Sequence, residues 1–346
     1  MSSLPQETKV VVIGGGIAGC STAYHLAKNG WDTVLIERDV LTSGTTWHAA
    51  GMITQLGASP QITKLRKYSV EFYKELTNIT GKDSSFKETG TINIATNKAR
   101  YQEYLRQKSM SKLFDIDIDL INKNRFNELY SIAKNSDVFG GLYIPRDGQA
   151  DPETLTKVIA QAAKQEGAKI IEKCQFKKII KRKNQVRGIK TNLGDIKCEY
   201  IVLCAGMWSR QIGEAAGVSI PLYPNEHFYM ITEDYNKLPK NLPTFRDPDT
   251  YLYIREYNKK LMIGIFEPNA KNAFKKNGKV PDNFSFGEFR VNKNYVKMLH
   301  KLAAKRIPEI NNLNIEKYFS GPESFTPDTN YLLGETAEIK NLFVCC

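Results

Sequence analysis

The chain has 346 residues, 41% hydrophobic and 10% aromatic, which excludes a disordered or fibrous chain and suits one large domain or two interleaved ones. Its net charge of +12 comes from scattered lysines, so it reads as a solvated surface rather than a nucleic-acid footprint. No apolar run approaches the roughly 20 residues of a membrane helix, so no membrane insertion is expected.

The opening MSSLPQETK has neither an apolar core nor an arginine-rich amphipathic pattern, so it reads as leaderless. A cytoplasmic protein follows, or a mitochondrial-matrix protein that has lost a transit peptide. Lys9 to Ile13 is β-branched, as in a strand buried on both faces. Gly14, Gly16 and Gly19 form GxGxxG, and a helical pattern follows, closed by Gly30. Thr33 to Ile36 is a second strand ending at Glu37, followed by Arg38. The spacing assigns work to each glycine. Gly14 permits a tight turn, Gly16 lets a pyrophosphate approach the backbone, and Gly19 lets the helix pack on the strand. The helix N-terminus offers free N–H groups and partial positive charge to the phosphates. Glu37 lies eighteen residues beyond Gly19, close to the place of the acid that accepts from a ribose 2′-hydroxyl. This unit predicts a dinucleotide and disfavours NADP, but leaves FAD and NAD open.

TSGTTWHAAG, residues 42–51, comes next. Its small residues, through Gly51, allow a backbone to lie against a flat ring system. The hydroxyls of Ser43, Thr45 and Thr46 suit phosphate or ring oxygens. His48 is one of only four histidines. Residues 88–140 hold a strand at Thr91–Ala95 and polar helices. Asp147-Gly148 reads as a turn, and Asp151 as an N-cap with Pro152 at the first helical position. A strand at 169–173, a lysine-rich β segment at 176–191 and a buried strand at Tyr200–Cys204 lead to Ala205-Gly206, where the backbone approaches closely. Trp208 reads as packing. Residues 221–317 are richer in Tyr, Phe and Pro, with short strands at His227–Thr232, Tyr251–Arg255 and Leu261–Phe266 and a helix at Asn292–Arg306. His25 and His300 read as bystanders. The cysteines (20, 174, 198, 204, 345, 346) contain no Cys-x-x-Cys pair; they read as reduced structural thiols, with no metal site.

Several segments together resemble the D-amino-acid-oxidase-like FAD family, within it the dimethylglycine dehydrogenase, sarcosine dehydrogenase and dimethylglycine oxidase group. They are the glycine unit with Glu37, SGTTWHAAG, DGQADPETL (147–155), VLCAGMWS (202–209), NEHFYMIT (225–232), YLYIRE (251–256) and GPESFTPD (321–328). The resemblance spans essentially the whole chain. It implies an α/β plus α+β fold: a discontinuous Rossmann-like FAD-binding domain (1–87, 141–220, 318–346) and an antiparallel-sheet substrate domain (88–140, 221–317).

The resemblance also implies chemistry. FAD would be held by Gly14, Gly16, Gly19, Glu37, Arg38, Ser43, Thr45, Thr46, Gly51, Ala205 and Gly206, and tethered covalently through His48. His227 and Tyr253 would orient and deprotonate an amine, with Tyr229 and Arg255 at the substrate; alone, an aromatic in a strand usually packs, but the joint match of His227 and Tyr253 to two separate segments favours function, while a surface ion pair is nearly as good a reading of Arg255. The implied reaction is oxidative demethylation of an N-methylglycine, dimethylglycine or sarcosine. Hydride would pass from the N-methyl carbon to flavin N5, giving an iminium, with oxygen or an electron-transfer flavoprotein as acceptor. Tetrahydrofolate would enter only with a further C-terminal module, since the last strand, Asn341–Cys346, leads into a glycine turn and helix in the family and the chain reads as truncated. Two rivals remain: a non-catalytic regulatory relative, and an amino-acid oxidase with loosely bound FAD.

Overall fold

A computed structural model describes residues 4–275 and 278–346. The first three residues, where the leaderless reading begins, and Lys276 and Asn277, within the expected 221–317 stretch, lie outside it.

Two eight-stranded sheets organise the chain. The first has Glu7–Ile13 at its centre, parallel to Gly194–Leu203 on one side and Thr33–Ile36 on the other. Lys169–Ile171 and Leu342–Cys345 extend it in parallel. Alternate residues feed opposite faces. Val12 and Leu35 pack against the helices Ile17–Lys28, Pro60–Thr80 and Pro152–Gln165. Val11, Ile13, Val34 and Ile36 pack under Ile179 and Ile189 of an antiparallel hairpin. That two-sided burial is why these strands read as unbroken apolar runs. The lysine-rich segment is itself the hairpin, Phe176–Arg182 and Gln185–Thr191. It turns at Lys183 and Asn184, whose φ values of 49° and 53° are those of a type I′ turn.

The second sheet runs in the order Ile315–Phe325, Tyr223–Thr232, Lys260–Ile265, Leu252–Tyr257, Thr244–Asp247, Thr91–Ala95, Gly140–Ile144, Asp119–Ile121. All pairs are antiparallel except Thr244–Asp247 with Thr91–Ala95. One face, including Phe228, Met230, Phe245, Ile254 and Ile263, packs on helices Lys293–Arg306 and Lys123–Leu129. The other carries Tyr229, Met262 and Phe319, which meet Trp47 and Ala50 of the small-residue loop. Two expected divisions, at 141 and 318, fall inside strands Gly140–Ile144 and Ile315–Phe325 of this second sheet. Hydrogen bonding to Thr91–Ala95 and Tyr223–Thr232 draws both strands across the expected line. Asp147-Gly148 is not a free turn: Gly148–Gln149 pairs with Met52–Ile53, and Asp147 is fully buried.

Candidate active site

The glycine turn is set by backbone contact. Gly14 has φ +113°, and a Cβ there would lie 2.4 Å from the Cys204 carbonyl oxygen; a Cβ on Gly19 would lie 1.9 Å from that of Gly14. Helix Ile17–Lys28 starts at Gly16, which has no side chain to cap it, the arrangement that receives a phosphate. Thr46 accepts from the Ile17 N–H through Oγ1 at 3.2 Å. Glu37 accepts from the Gly15 N–H at 2.6 Å and from the Asp39 N–H at 2.9 Å, while burial pushes its carboxyl upward. Around this turn the hydroxyls of Thr42 and Thr45, the Trp47 indole N–H and His48 Nε2 are sealed from solvent without a partner among the described residues. Buried polar atoms without partners are uncommon in native proteins. Together with the glycine-capped helix start they fit a dinucleotide carrying phosphates and a polar ring.

His48 is 6% exposed and lies against Phe319, with ring centroids 4.9 Å apart. Burial pushes its imidazole down to about 4, so it is neutral near pH 7. Gly321 makes room for it: a Cβ there would sit 3.3 Å from His48 Cε1. The other expected cofactor residues divide. Ser43 is buried in the same loop, and its carbonyl accepts from the Phe286 N–H at 2.9 Å. The Cβ position of Gly206, at φ +51°, has nothing within 4 Å, whereas Ala205 backs onto Gly14. Gly51 is explained by the fold, since at φ +68° its Cβ would strike the Ala150 carbonyl oxygen at 2.2 Å. Arg38 lies 3.8 Å over the Trp208 ring and donates to the Asp282 carbonyl at 2.6 Å and to that of Phe284. Its guanidinium therefore fastens the 281–286 segment over the loop.

Strand register builds the second half of the site. Asn93, Arg246, Tyr253, Gly264, Tyr229 and Phe319 are successive partners across six strands, so they share one face. Gly264 lets the Tyr253 ring lie across it; a Cβ there would be 2.2 Å from Tyr253 Cζ. The ring thereby meets His227, two residues before Tyr229. Tyr253 Oη and His227 Nε2 are 2.8 Å apart, and the imidazole stacks on Phe266 at 4.7 Å. Burial, then His48, pushes His227 down to about 4. Burial raises the Tyr253 phenol well above its usual range, so both groups are neutral near pH 7.

Two cavities open beside this face. One, of about 280 Å³, is lined by Asn225, Glu226, His227, Phe266 and Glu267. The other, of about 650 Å³, includes Arg66, Asn93 and Arg246, and Thr329 borders both. Sequence reading missed Arg246 and Arg66. The Arg246 side chain makes no hydrogen bond or ion pair among the described residues; its guanidinium carbon lies 5.8 Å from the Phe266 ring centroid. Burial, then Arg66, lowers its pKa. Arg66 donates to the Leu56 carbonyl at 2.6 Å. Alternation with buried Phe245 was the available signal for Arg246. The expected substrate partner Arg255 is buried instead, 5.1 Å over the Tyr257 ring, and borders neither cavity. Tyr229 stacks on Phe319 at 4.7 Å and also borders neither; of the His227–Tyr253 pair His227 borders the smaller cavity, with Tyr253 buried behind it. Asn93 and Arg246 thus bring an amide and a free cation to the same face as the His227–Tyr253 pair.

The fold and site define a dinucleotide-binding protein of the flavin type. Residues 9–346 match the family described as DAO, FAD dependent oxidoreductase, and the chain belongs to that family. It is 35% identical over 342 residues to 4-methylaminobutanoate oxidase (formaldehyde-forming) of Paenarthrobacter nicotinovorans, covering 99% of this chain and 41% of that protein. It is 36% identical over 353 residues to the mitochondrial sarcosine dehydrogenase of Homo sapiens, covering 99% of this chain and 38% of that one. The chain therefore spans about two-fifths of these relatives' lengths. Among solved structures it resembles L-proline dehydrogenase from P. horikoshii, with TM-score 0.88 and 26% identity over 99% of this chain and 88% of that one. No helix among the described residues is long and apolar enough to cross a membrane.

Proposed function

We propose that the chain is the flavin-binding, amine-oxidising part of an enzyme that demethylates an N-methylated amino acid, with dimethylglycine and sarcosine as first substrates. The observation that carries this is the neutral His227–Tyr253 pair, 2.8 Å apart, on the sheet face turned toward the His48 loop. Bound FAD supplies the acceptor for the hydride of the N-methyl carbon, and dioxygen or an electron-transfer flavoprotein completes turnover.

The residues perform four tasks. Gly14, Gly16 and Gly19 bring the backbone to the pyrophosphate, with Glu37 at the ribose. His48, neutral and with Nε2 unpartnered, is the covalent tether. Tyr253 Oη accepts a proton from the substrate ammonium while its own hydroxyl donates to His227 Nε2, leaving the neutral amine whose lone pair hydride loss requires. Arg246, backed by Arg66, holds the carboxylate. The first sheet forms the FAD domain and the second the substrate domain.

Anaerobic addition of dimethylglycine or sarcosine to the flavin-loaded protein is expected to bleach the flavin absorbance; an unchanged spectrum with both overturns the reading. Acid precipitation is expected to carry the yellow colour into the pellet and, with His48→Ala, to leave it in the supernatant.

A further inference from the structure

His227 has a second neighbour. Its Nδ1 lies 3.8 Å from Oε2 of Glu323 on the adjoining strand. Gly321 stands directly opposite His227, and Glu323 opposite Asn225, so the carboxyl reaches back diagonally to the imidazole. Although the Glu323 side chain is 37% exposed, its Oε2 is sealed from solvent and has no hydrogen-bond partner among the described residues. Tyr253, His227 and Glu323 thus form a line through both imidazole nitrogens, from the fully buried phenol to a partly exposed carboxyl.

The line answers a difficulty in the proposed reaction. An N-methylated amino acid arrives as an ammonium and must lose one proton before hydride leaves. Neither neutral group of the pair retains that proton near pH 7. Burial disfavours the imidazolium of His227, and it disfavours the phenolate that Tyr253 would become by passing on its own proton alone. A proton entering at Tyr253 therefore needs an acceptor beyond His227.

We propose that Glu323 is that acceptor, a positioning residue that takes through His227 the proton the substrate ammonium gives to Tyr253. His227 begins with its proton on Nδ1, so that Nε2 accepts from Tyr253. The ammonium N–H bond breaks and its proton joins Tyr253 Oη; the phenol proton moves to His227 Nε2; the Nδ1 proton moves to Glu323 Oε2. The phenol and the imidazole end neutral, and the carboxylate ends as a carboxylic acid. Charge and protons balance, and no oxidant is involved. A small rotation of the carboxyl closes the 3.8 Å gap to hydrogen-bond length.

The surroundings set the pH at which this works. Burial, then the neighbouring Glu267, pushes the Glu323 carboxyl up to about 7. Glu267, beyond strand Lys260–Ile265, is itself pushed up to about 7 by burial, with Glu226 adding to the effect. His227 faces Glu323 from the adjoining strand, Tyr253 acts on it from beyond His227, and His48 lies across Gly321; Glu226 bears on Glu267 and Arg255 on Tyr253. Glu323 accepts only as the carboxylate, so the step gains with rising pH through about 7.

This inference rests on the amine-oxidation reading, and the test separates them. The rate of anaerobic flavin reduction by dimethylglycine is measured against pH in the flavin-loaded full chain. In the parent protein it is expected to rise through about 7. In Glu323→Gln the rise moves toward the ammonium's own range, about 10, and at pH 7 the rate falls roughly 100-fold. In Glu267→Gln, which removes the repelling carboxyl, the rise moves to lower pH with its plateau kept. Infrared titration without substrate is expected to show protonated-carboxyl absorption fading through about 7, of which Glu323→Gln removes one carboxyl's share while those of Glu267 and Asp147 stay. A parent midpoint retained by Glu323→Gln overturns the relay alone. If that variant does not fold, an unmoved midpoint in Glu267→Gln overturns it. A parent flavin that dimethylglycine and sarcosine do not bleach at any pH overturns the amine-oxidation reading, and the relay with it.

Discussion

The glycine turn of the first sheet and the cavity-facing side of the second sheet solve different problems. The turn is made of backbone brought close to backbone. Its specificity lies in the absence of side chains at Gly14 and Gly19, whose missing Cβ atoms would sit 2.4 and 1.9 Å from carbonyl oxygens. The second face is made of side chains set by register, where Asn93, Arg246 and Tyr253 come together only because Thr91–Ala95 pairs with a hairpin far along the chain. A local segment can encode the first alone; the second exists only in the assembled sheet.

The comparison can be broken at its strongest point first. Gly19→Ala places a methyl against the Gly14 carbonyl and is expected to cost about 3 kcal/mol, with flavin lost from the purified protein; flavin absorbance per protein after gel filtration measures it. Tyr253→Phe is the corresponding cut on the second face. It should lower kcat/KM for dimethylglycine by roughly 100-fold while flavin content and melting temperature stay within error. Gly264→Ala sharpens the same point without touching a polar group. Its methyl displaces the Tyr253 ring from His227, and a similar loss of kcat/KM with flavin retained is expected; unchanged kinetics would detach the pair from the chemistry. Arg246→Met should raise KM about tenfold or more and affect kcat less, because removing one charged hydrogen bond costs about 1.5–3 kcal/mol. The same change at Arg255 should leave that KM unmoved.

The smallest effect concerns Asp147, which joins the two regions by accepting from the Gln55 N–H at 2.9 Å and from its Nε2 at 3.2 Å. Burial pushes its carboxyl up to about 7 from 3.8. The folded state therefore holds this proton more tightly than the unfolded chain. Its contribution to stability is full below about 3.8, is lost as pH rises through about 7, and is level above that. Asp147→Asn removes the titration. The melting temperature of the parent should fall relative to that of the variant between pH 5 and pH 8, and a constant difference would show that Asp147 does not titrate in that window.

Legibility followed the range of the interactions. The strand at Thr33–Ile36, the Asp151 cap with Pro152 behind it and the strand at Thr91–Ala95 follow from local pattern, and each forms where the pattern placed it. The Asp151 side chain accepts from the Thr154 N–H at 2.8 Å, a bond within one helical turn. His227 and Tyr253 were legible through the segments resembling a known family, yet their 2.8 Å contact depends on Gly264, in a strand neither belongs to. Arg38 and Arg255 show the opposite. A cation after Glu37 or in a polar strand reads as a ligand partner, but Trp208 and Tyr257 cover them in the folded chain.

By itself the sequence determined the dinucleotide unit, because a tight turn, a close phosphate approach and a helix start are encoded by neighbouring residues. It also determined which face of each strand is apolar, because side chains alternate. Only the tertiary structure decided which polar residues face the cavities, where Gly140–Ile144 and Ile315–Phe325 belong, and that Glu323 stands behind His227. Those outcomes depend on register between strands up to about 150 residues apart in the chain, where a slip of one residue turns every side chain to the other face.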